Sequence, residues 1–594
     1  MDLAHPEYEV RLAARRLAIA ALDRPHLLIS NGRLPAVAGA AAVLWLCLVR
    51  QAIGLAWLLL PGMVFAVLAV LHQRVLDRMD RARRAERWYE LGLARLDGRW
   101  FEHARDGAHL GQAHDYARDL DLFGPRSLFQ LLNTTRTEAG ETVLAGWLRE
   151  GAAIDEVRAR QAAVEELRSR LDLREQIAVT AAGVHASRTG ALAMWAGAAQ
   201  ARYPPSAAWV FGGCAGVLLV LTAAAYAEIV PGSIVVGWLL VESAVVWAWR
   251  KAFHAVVGEI DRPAADLASV AALLAVVESA RFEAPRLAAL QAALDARGVH
   301  ASRAVTRLGS LVSLLESSTH NLFFRPFTMA LLVPQQIAVA IDRWHGRHGR
   351  SIGEWLRVVG ELEAFGAISG YAYEHPADPF PDLVEGPAVF DAVGLGHPLL
   401  HEGTAVSNDL VLGREGPHVI VVSGSNMSGK STLLRSVGIN VVLALAGAPV
   451  RATRLRLSAL VLGATLRIED SIQDGRSQFY AEILRIRAIV DQARGPVPLL
   501  FLLDEILHGT NSYDRRVGAE AIVRALAATG AIGLVTTHDL ALTEVPARLP
   551  VAAANTHFED RLEDGRMVFD YRMRPGVVEH SNALALMRAV GLDV

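Results

Sequence analysis

The sequence predicts a chain of α + α/β class: membrane helical hairpins, a helical core and lever region, and a C-terminal α/β domain with a phosphate-binding loop. Three observations predict it. Long uncharged runs come in two pairs, each bordered by basic residues. Residues 80–200 and 251–370 carry apolar side chains at three- and four-residue steps, the period of amphipathic helices. From about residue 375 short β-rich runs alternate with helical segments, which implies a mainly parallel sheet flanked by helices. In chain order the expected parts are an N-terminal segment (1–33), a first hairpin (34–71), the first part of the helical core (72–206), a second hairpin (207–249), the second part of the lever and core (250–385) and the α/β domain (386–594).

The chain has 594 residues, enough for several domains of ~150 residues each. The apolar set makes up 52% and charged residues only 20%, which excludes a disordered chain. Net charge is −3, so nothing global advertises nucleic acid. Cys47 and Cys214 are too few for a disulfide framework or a cysteine zinc site, and they suit a reducing or redox-indifferent setting. Lysine occurs twice, at Lys251 and Lys430, against a background that otherwise uses arginine.

The first hairpin begins with Leu34–Val49, passes Arg50-Gln51, and continues as Ala52–Leu71. The latter is 20 residues without a charge, and at 1.5 Å per residue that length crosses a ~30 Å hydrocarbon core. The second hairpin is Ala207–Ala227, then Glu228 and a Pro231-Gly232 break, then Ile234–Trp249. Trp209, Trp238, Trp247 and Trp249 suit the membrane interfaces. Arginines crowd both flanks of hairpin one, and Arg202, Arg250 and Lys251 border hairpin two. The positive-inside rule then puts both flanks on the cytoplasmic side, giving a multi-pass protein of the inner (cytoplasmic) membrane with its soluble parts in the cytoplasm. The alternative is a set of buried core helices. Glu242 lies inside the last run, either as a functional intramembrane carboxylate or turned toward its partner helix. Phe327–Ala340 is apolar but interrupted by Pro334-Gln335-Gln336, so it is expected as a core helix or one lying on the membrane rather than a span.

In the α/β part, the expected elements are Val419–Ser423, Leu433–Leu445, Leu460–Ile468, Phe479–Ala493, Leu499–Leu503, Gly518–Ala528 and Ile532–Thr536. The first strand runs into Gly424-Ser425-Asn426-Met427-Ser428-Gly429-Lys430-Ser431-Thr432, a G-x-x-x-x-G-K-S loop between a strand and a helix. Glycines let backbone N–H groups wrap phosphates, and the helix N-terminus adds partial positive charge. Lys430 is placed for the β- and γ-phosphates of ATP, and Ser431 for Mg²⁺. Asp504, ending an apolar strand, can hold Mg²⁺ directly or through water; Glu505 is the candidate base for the attacking water. His538, after the strand Ile532–Thr536, is placed to contact a γ-phosphate or that water.

These residues resemble the ATPase domain of the MutS family of DNA mismatch-repair proteins, within the ABC ATPase class. The loop is similar, including Asn426-Met427, and so is Asn408-Asp409 before it. Gly475-Arg476-Ser477-Gln478-Phe479 resembles the family's signature loop, which implies that Ser477 approaches the γ-phosphate of the opposite subunit. Asp504–Asn511 resembles the Walker B strand and the loop after it, and Thr536-Thr537-His538 the switch-histidine segment. Asn555–Phe558, Pro575-Gly576 and Ser581 also follow the family. More weakly, Asp119–Trp147 looks like the start of the family's helical core, and Glu361–Tyr373 with Gly396-His397-Pro398 like its end.

The resemblance implies ATP and Mg²⁺ as cofactors, double-stranded or mismatched DNA as a partner, and a homodimer through the ATPase domains. The departures point elsewhere. No Phe-x-Glu segment of the mismatch-wedging kind is present, hairpin two falls where the family inserts its levers and clamp, and the chain stops at Val594, before much of the family's C-terminal dimer contact. The expectation is therefore a membrane-anchored MutS-like ATPase acting on DNA. The alternatives are an ATP-driven membrane machine and a nucleotide-switched scaffold without mismatch recognition.

Overall fold

The computed structural model describes residues 4–102, 104–111, 114–183, 192, 194, 195, 197, 203–257, 264–295, 298–320, 324–401, 403–425, 427–466, 478–507, 510–563 and 566–578. The fold is mixed α/β, mostly helical, with two sheets.

Both apolar pairs form helical hairpins. Helix Ala4–Leu48 runs for 45 residues, through Pro25 and Pro35, and packs along helix Leu59–Leu96. The sequence reading placed the hairpin between Leu34 and Leu71; the helices extend well beyond it at both ends. Cross-helix ion pairs hold the extensions together: Arg16 meets Glu86 at 3.0 Å and Glu90 at 2.8 Å. Tyr8, Trp88 and Tyr89 cluster below them with Leu12 and Leu171. By length and composition, three helices among the described residues can cross a membrane: Ala4–Leu48, the stretch Leu55–Leu96 and Ala207–Tyr226. A fourth span results if Gly232–Ala248 and Arg250–Val257, bent by 59°, count as one. Glu242 is buried within the second hairpin, where Trp238 Nε1 donates to its Oε1 and to the Cys214 carbonyl, both at 3.1 Å.

A long helix, Val333–Glu374, runs for 42 residues in the region expected as lever and core. Pro334 does not interrupt it. The chain breaks at Leu332, φ 53°, and Pro334 falls in the first turn, where a missing N–H costs nothing. The C-terminal end of this helix is a junction. Arg95 donates to both Glu374 oxygens (2.8 and 2.5 Å), and Tyr8 OH donates to Oε1 at 3.2 Å. One turn earlier Tyr371 OH donates to Asp378 Oδ2 at 2.9 Å, and Arg451 Nη1 reaches Asp378 Oδ1 at 2.9 Å. The Arg451 N–H donates to Asn440 Oδ1 at 2.7 Å, on the helix that follows the Gly-rich loop. The base of hairpin one is thus tied through a short polar chain to that helix.

The C-terminal part holds strands β1 (Asp382–Val384), β2 (Val389–Leu395), β3 (Asn408–Gly413), β4 (Val419–Ser423), β5 (Arg454–Ser458), β6 (Val461–Thr465), β7 (Leu499–Asp504), β8 (Ile532–Thr537), β9 (Ala553–Glu563) and β10 (Arg566–Pro575). One sheet has the order β1-β5-β2-β3 and the other β10-β9-β4-β8-β7-β6. In the second, β4, β6, β7, β8 and β9 pair in parallel, and only β10 is antiparallel. Strand alternation feeds two cores. Ile420, Val422, Leu500, Leu502, Ile532 and Leu534 face the large core shared with helix Lys430–Ala446. Val419, Leu499, Phe501, Leu503 and Val535 face a second core with helices Gln478–Gln492 and Ser512–Ala528. The segments read from the sequence as strands and helices fall on these elements, whereas β1–β3, β5, β9 and β10 had not been read from the sequence.

Candidate active site

Strand β4 delivers the chain into the Gly-rich loop at the C-terminal end of a parallel sheet, the usual place for a ligand in this architecture. The loop needs its glycines. Gly424 has φ 150° and Gly429 φ 108°. A Cβ at Gly424 would sit 2.9 Å from Ser428 Oγ and 3.1 Å from the Phe558 carbonyl. Met427, also at positive φ, points out with 83% of its surface exposed. Asn426 lies outside the described residues.

Lys430 begins helix Lys430–Ala446 and is almost wholly buried. Its Nζ donates to the Gly424 carbonyl at 2.7 Å and the Ser425 carbonyl at 2.8 Å, and lies 3.6 Å from Glu505 Oε1. Burial lowers its pKa, while the carboxylates of Glu505 and Asp504 work in the opposite direction. Ser425 Oγ and Ser428 Oγ are buried with no partner of their own. A cation, two spare hydroxyls and a glycine-shaped loop fit a polyphosphate, and Lys430, Ser431, Thr432 and Ser425 line one cavity of about 760 Å³ with Asp504 and Glu505. That volume is in the range of nucleotide and cofactor sites.

Strand register brings the acidic end into place. Asp504 pairs with Thr536, and Ser423 with Thr537, so the ends of β4, β7 and β8 lie side by side. Thr536 Oγ1 donates to Asp504 Oδ1, and the Glu505 N–H donates to Thr536 Oγ1 at 3.1 Å. Glu505 adopts φ 45°. Its Oε2 lies 3.2 Å from His538 Nδ1. Leu507, at φ 58°, donates its N–H to Glu482 Oε1 at 2.5 Å, so two side chains hold the turn that carries Glu505. Among the described residues no group of three or more His, Cys, Asp or Glu could hold a metal. Ser431 and Asp504 in one cavity suit Mg²⁺, which usually takes one or two protein ligands besides phosphate oxygens. Gly475, Arg476 and Ser477 lie outside the described residues.

An apolar part of the lining is made by Leu395, Leu400, Val406, Phe558 and Tyr571, beside the polar Thr404, Asn408 and Ser436. The sequence reading gave Tyr571 no role. Tyr571 sits at φ 55° where the β9–β10 ladder is irregular. Asn408 Nδ2 donates to the Tyr571 carbonyl at 3.0 Å, and Asn408 Oδ1 accepts from the Met573 N–H at 2.7 Å. The Asn408-Asp409 pair was visible, but its partner 163 residues away was not.

Residues 420–593 match the family model of MutS domain V. Proteins called DNA mismatch repair protein MutS are similar to part of the chain. The one from Roseiflexus sp. (strain RS-1) is 32% identical over 208 residues, 34% of this chain and 19% of that protein. The one from Natronomonas pharaonis is 33% identical over 265 residues, 44% of this chain and 29% of that protein. DNA mismatch repair protein MutS 2 from Halobacterium salinarum is 33% identical over 240 residues, 40% of this chain and 27% of that protein. These matches support the MutS family for this part of the chain. The chain spans less than a third of the length of these relatives.

Proposed function

We propose that this chain is a membrane-anchored ATPase of the MutS type, whose nucleotide cycle serves a DNA transaction. The observation that carries the reading is Lys430 Nζ, held by two loop carbonyls and facing Glu505 at the end of a parallel strand. With ATP present, Lys430 exchanges those carbonyls for the β- and γ-phosphates. The loop N–H groups from Gly424 to Thr432, including Asn426, Met427 and Ser428, wrap the phosphate chain. Ser431 and Asp504 would hold Mg²⁺, which would supply charge neutralisation on the phosphates. Glu505 orients and deprotonates the attacking water, and His538, beside it, contacts the γ-phosphate side. Leu400, Val406 and Tyr571 leave room for the base at the apolar end. Ser477 acts on the nucleotide of a second copy, making the unit a homodimer. The two hairpins anchor the protein in the cytoplasmic membrane with both soluble parts in the cytoplasm.

A second reading is an ATP-driven membrane machine or nucleotide-switched scaffold that does not read DNA. The polar chain from Arg95 and Glu374 through Asp378 and Arg451 to Asn440 favours it, because it ties the loop helix to hairpin one.

The test is the ATPase rate of detergent-solubilised full chain, alone and with homoduplex, mismatched or branched DNA, at two salt concentrations. Phosphate contacts dominate DNA affinity, so stimulation that fades with salt supports the DNA reading. Turnover that no DNA alters supports the second. Absence of turnover overturns the ATPase and the membrane machine and leaves only the scaffold; turnover surviving in Lys430→Ala overturns both readings.

A further inference from the structure

A second cationic pocket, sharing no lining residue with the cavity at the Gly-rich loop, lies where the base of hairpin one meets the helical core. It is a cavity of about 50 Å³ walled by Trp88, Trp100, Arg95, Arg105, Thr134 and Arg136. Its arginines are not equivalent. Arg95 is matched by both oxygens of Glu374. Arg105 Nε pairs with Glu141 at 2.9 Å, and its Nη2 donates to the Thr135 carbonyl at 3.1 Å. Arg136 has no carboxylate within ion-pair distance among the described residues, and its Nε is buried with no partner.

The nearest acid cannot serve it. Glu363 accepts from the N–H groups of Arg136 and Thr137 and from Thr137 Oγ1, so its oxygens are committed to the backbone turn. Burial also pushes its pKa up to about 7, so that near neutrality it offers only part of a charge. Burial lowers the pKa of Arg136, Arg105 and Arg95 lower it further, and Glu363 opposes them only in part. An arginine keeps its charge in proteins at neutral pH, so among the described residues the site holds a cation with no ion-pair partner. A partly buried charge without a counter-charge is costly, and an anion in the cavity removes the cost.

We propose that this pocket binds a phosphate-class anion, with Arg136 as the principal ligand, Arg105 as a second, and the Thr134–Thr135 segment supplying further polar contacts. The cavity has room for one phosphate group. Arg95 lies 24 residues past Leu71 on helix Leu59–Leu96, about 36 Å along an α-helix at ~1.5 Å per residue. A lipid headgroup at the end of the apolar run cannot reach that far, so the anion comes from solution: inorganic phosphate or a soluble phosphate ester. The pocket touches both the Arg95–Glu374 pair and the turn before helix Glu138–Arg149, so an occupant braces the stalk against the core.

The proposal is tested in full chain carrying Lys430→Ala, which silences the Gly-rich loop as a competing phosphate site. Thermal unfolding is followed in sodium phosphate and in sodium chloride of matched ionic strength. The expected result is a midpoint higher in phosphate by roughly 2 °C or more. Adding Arg136→Gln should abolish that difference while raising or leaving unchanged the midpoint in chloride, because it removes an unpaired charge. Arg136→Lys should keep part of the difference. Line broadening of inorganic phosphate in ³¹P NMR, present in the parent and lost in Arg136→Gln, reads binding without unfolding. Equal phosphate effects with and without Arg136, or no phosphate effect in the parent, overturn the proposal. So does an Arg136→Gln protein that is destabilised equally in both salts, since that marks a structural arginine.

Discussion

Phe501 and Phe65 sit in apolar runs of similar chemistry, and they meet opposite fates. Phe501 lies on β7 and is wholly buried with Leu499, Leu500, Leu502 and Leu503. Phe65 lies on helix Leu59–Leu96 and is exposed, with Leu59, Leu60, Met63 and Val67 beside it. The α/β domain is covered on both faces of its sheet, on one by a core it shares with the helices before it and on the other by a core of its own, so its apolar strands are hidden from water. Hairpin one leaves its apolar residues outside, and an exposed patch of that size marks a contact with another apolar surface, lipid under the proposed function. The same composition therefore does two jobs, and the ion pairs at the base of the stalk are where one regime gives way to the other.

Chemistry confined to the closed domain should be indifferent to the hairpins. Glu505→Gln is expected to keep nucleotide binding and to lower kcat by about 10²–10⁴-fold, the range for losing a general base. Single-turnover measurements in detergent and in liposomes should give the same factor in both. Full-rate turnover by this variant would take Glu505 out of the base role.

Cutting the junction should hurt almost as much in free energy. Glu374→Ala leaves Arg95 buried without its counter-charge, a change that typically costs ~3–5 kcal/mol. A lowered unfolding midpoint that Arg95→Ala partly restores in the double variant would show that the pair, rather than either residue alone, carries the effect.

The hairpin itself can be probed at Val67. In lipid, Val67→Arg should cost ~2.5–3.5 kcal/mol of insertion and reduce the share of protein in the membrane fraction. At an exposed position in water the same change stays within about 0.5 kcal/mol. An undiminished membrane fraction would return this helix to water.

The smallest expected effect concerns acid. His397 is buried beside Arg435, and burial first, then Arg435, pushes its pKa down to about 4. In the unfolded chain it binds its proton near the ordinary histidine value of about 6.5. Below that value the unfolded state holds more protons than the folded one. Stability present above pH ~6.5 is thus lost progressively as pH falls toward 4, by at most about 3 kcal/mol. Denaturation of wild type and His397→Asn at pH 7, 5.5 and 4.5 checks this; equal acid slopes would remove His397 as the cause.

Much of the closed domain was legible because its signals are local. A strand, a glycine loop, a lysine and a helix occupy one stretch from Val419 to Ala446, and a buried strand announces Asp504 by its unbroken apolar run. The edges were less legible. β9 and β10 alternate weakly and carry several charges, so their pairing rests on partners rather than pattern. Pro334 misled for a different reason: proline breaks a helix interior but suits a first turn, and only the backbone at Leu332 tells the two cases apart.

By itself the sequence determined where apolar surface is concentrated and which single lysine meets a glycine loop, because periodicity and short motifs are properties of neighbouring residues. Tertiary structure alone decided that Glu505 faces both Lys430 and His538, that Asn408 holds Tyr571 across 163 positions, and that Arg136 has no ion-pair partner among the described residues. Each is a matter of what a side chain meets after the chain has turned back on itself, and electrostatic compensation at a few ångströms is invisible to residue spacing.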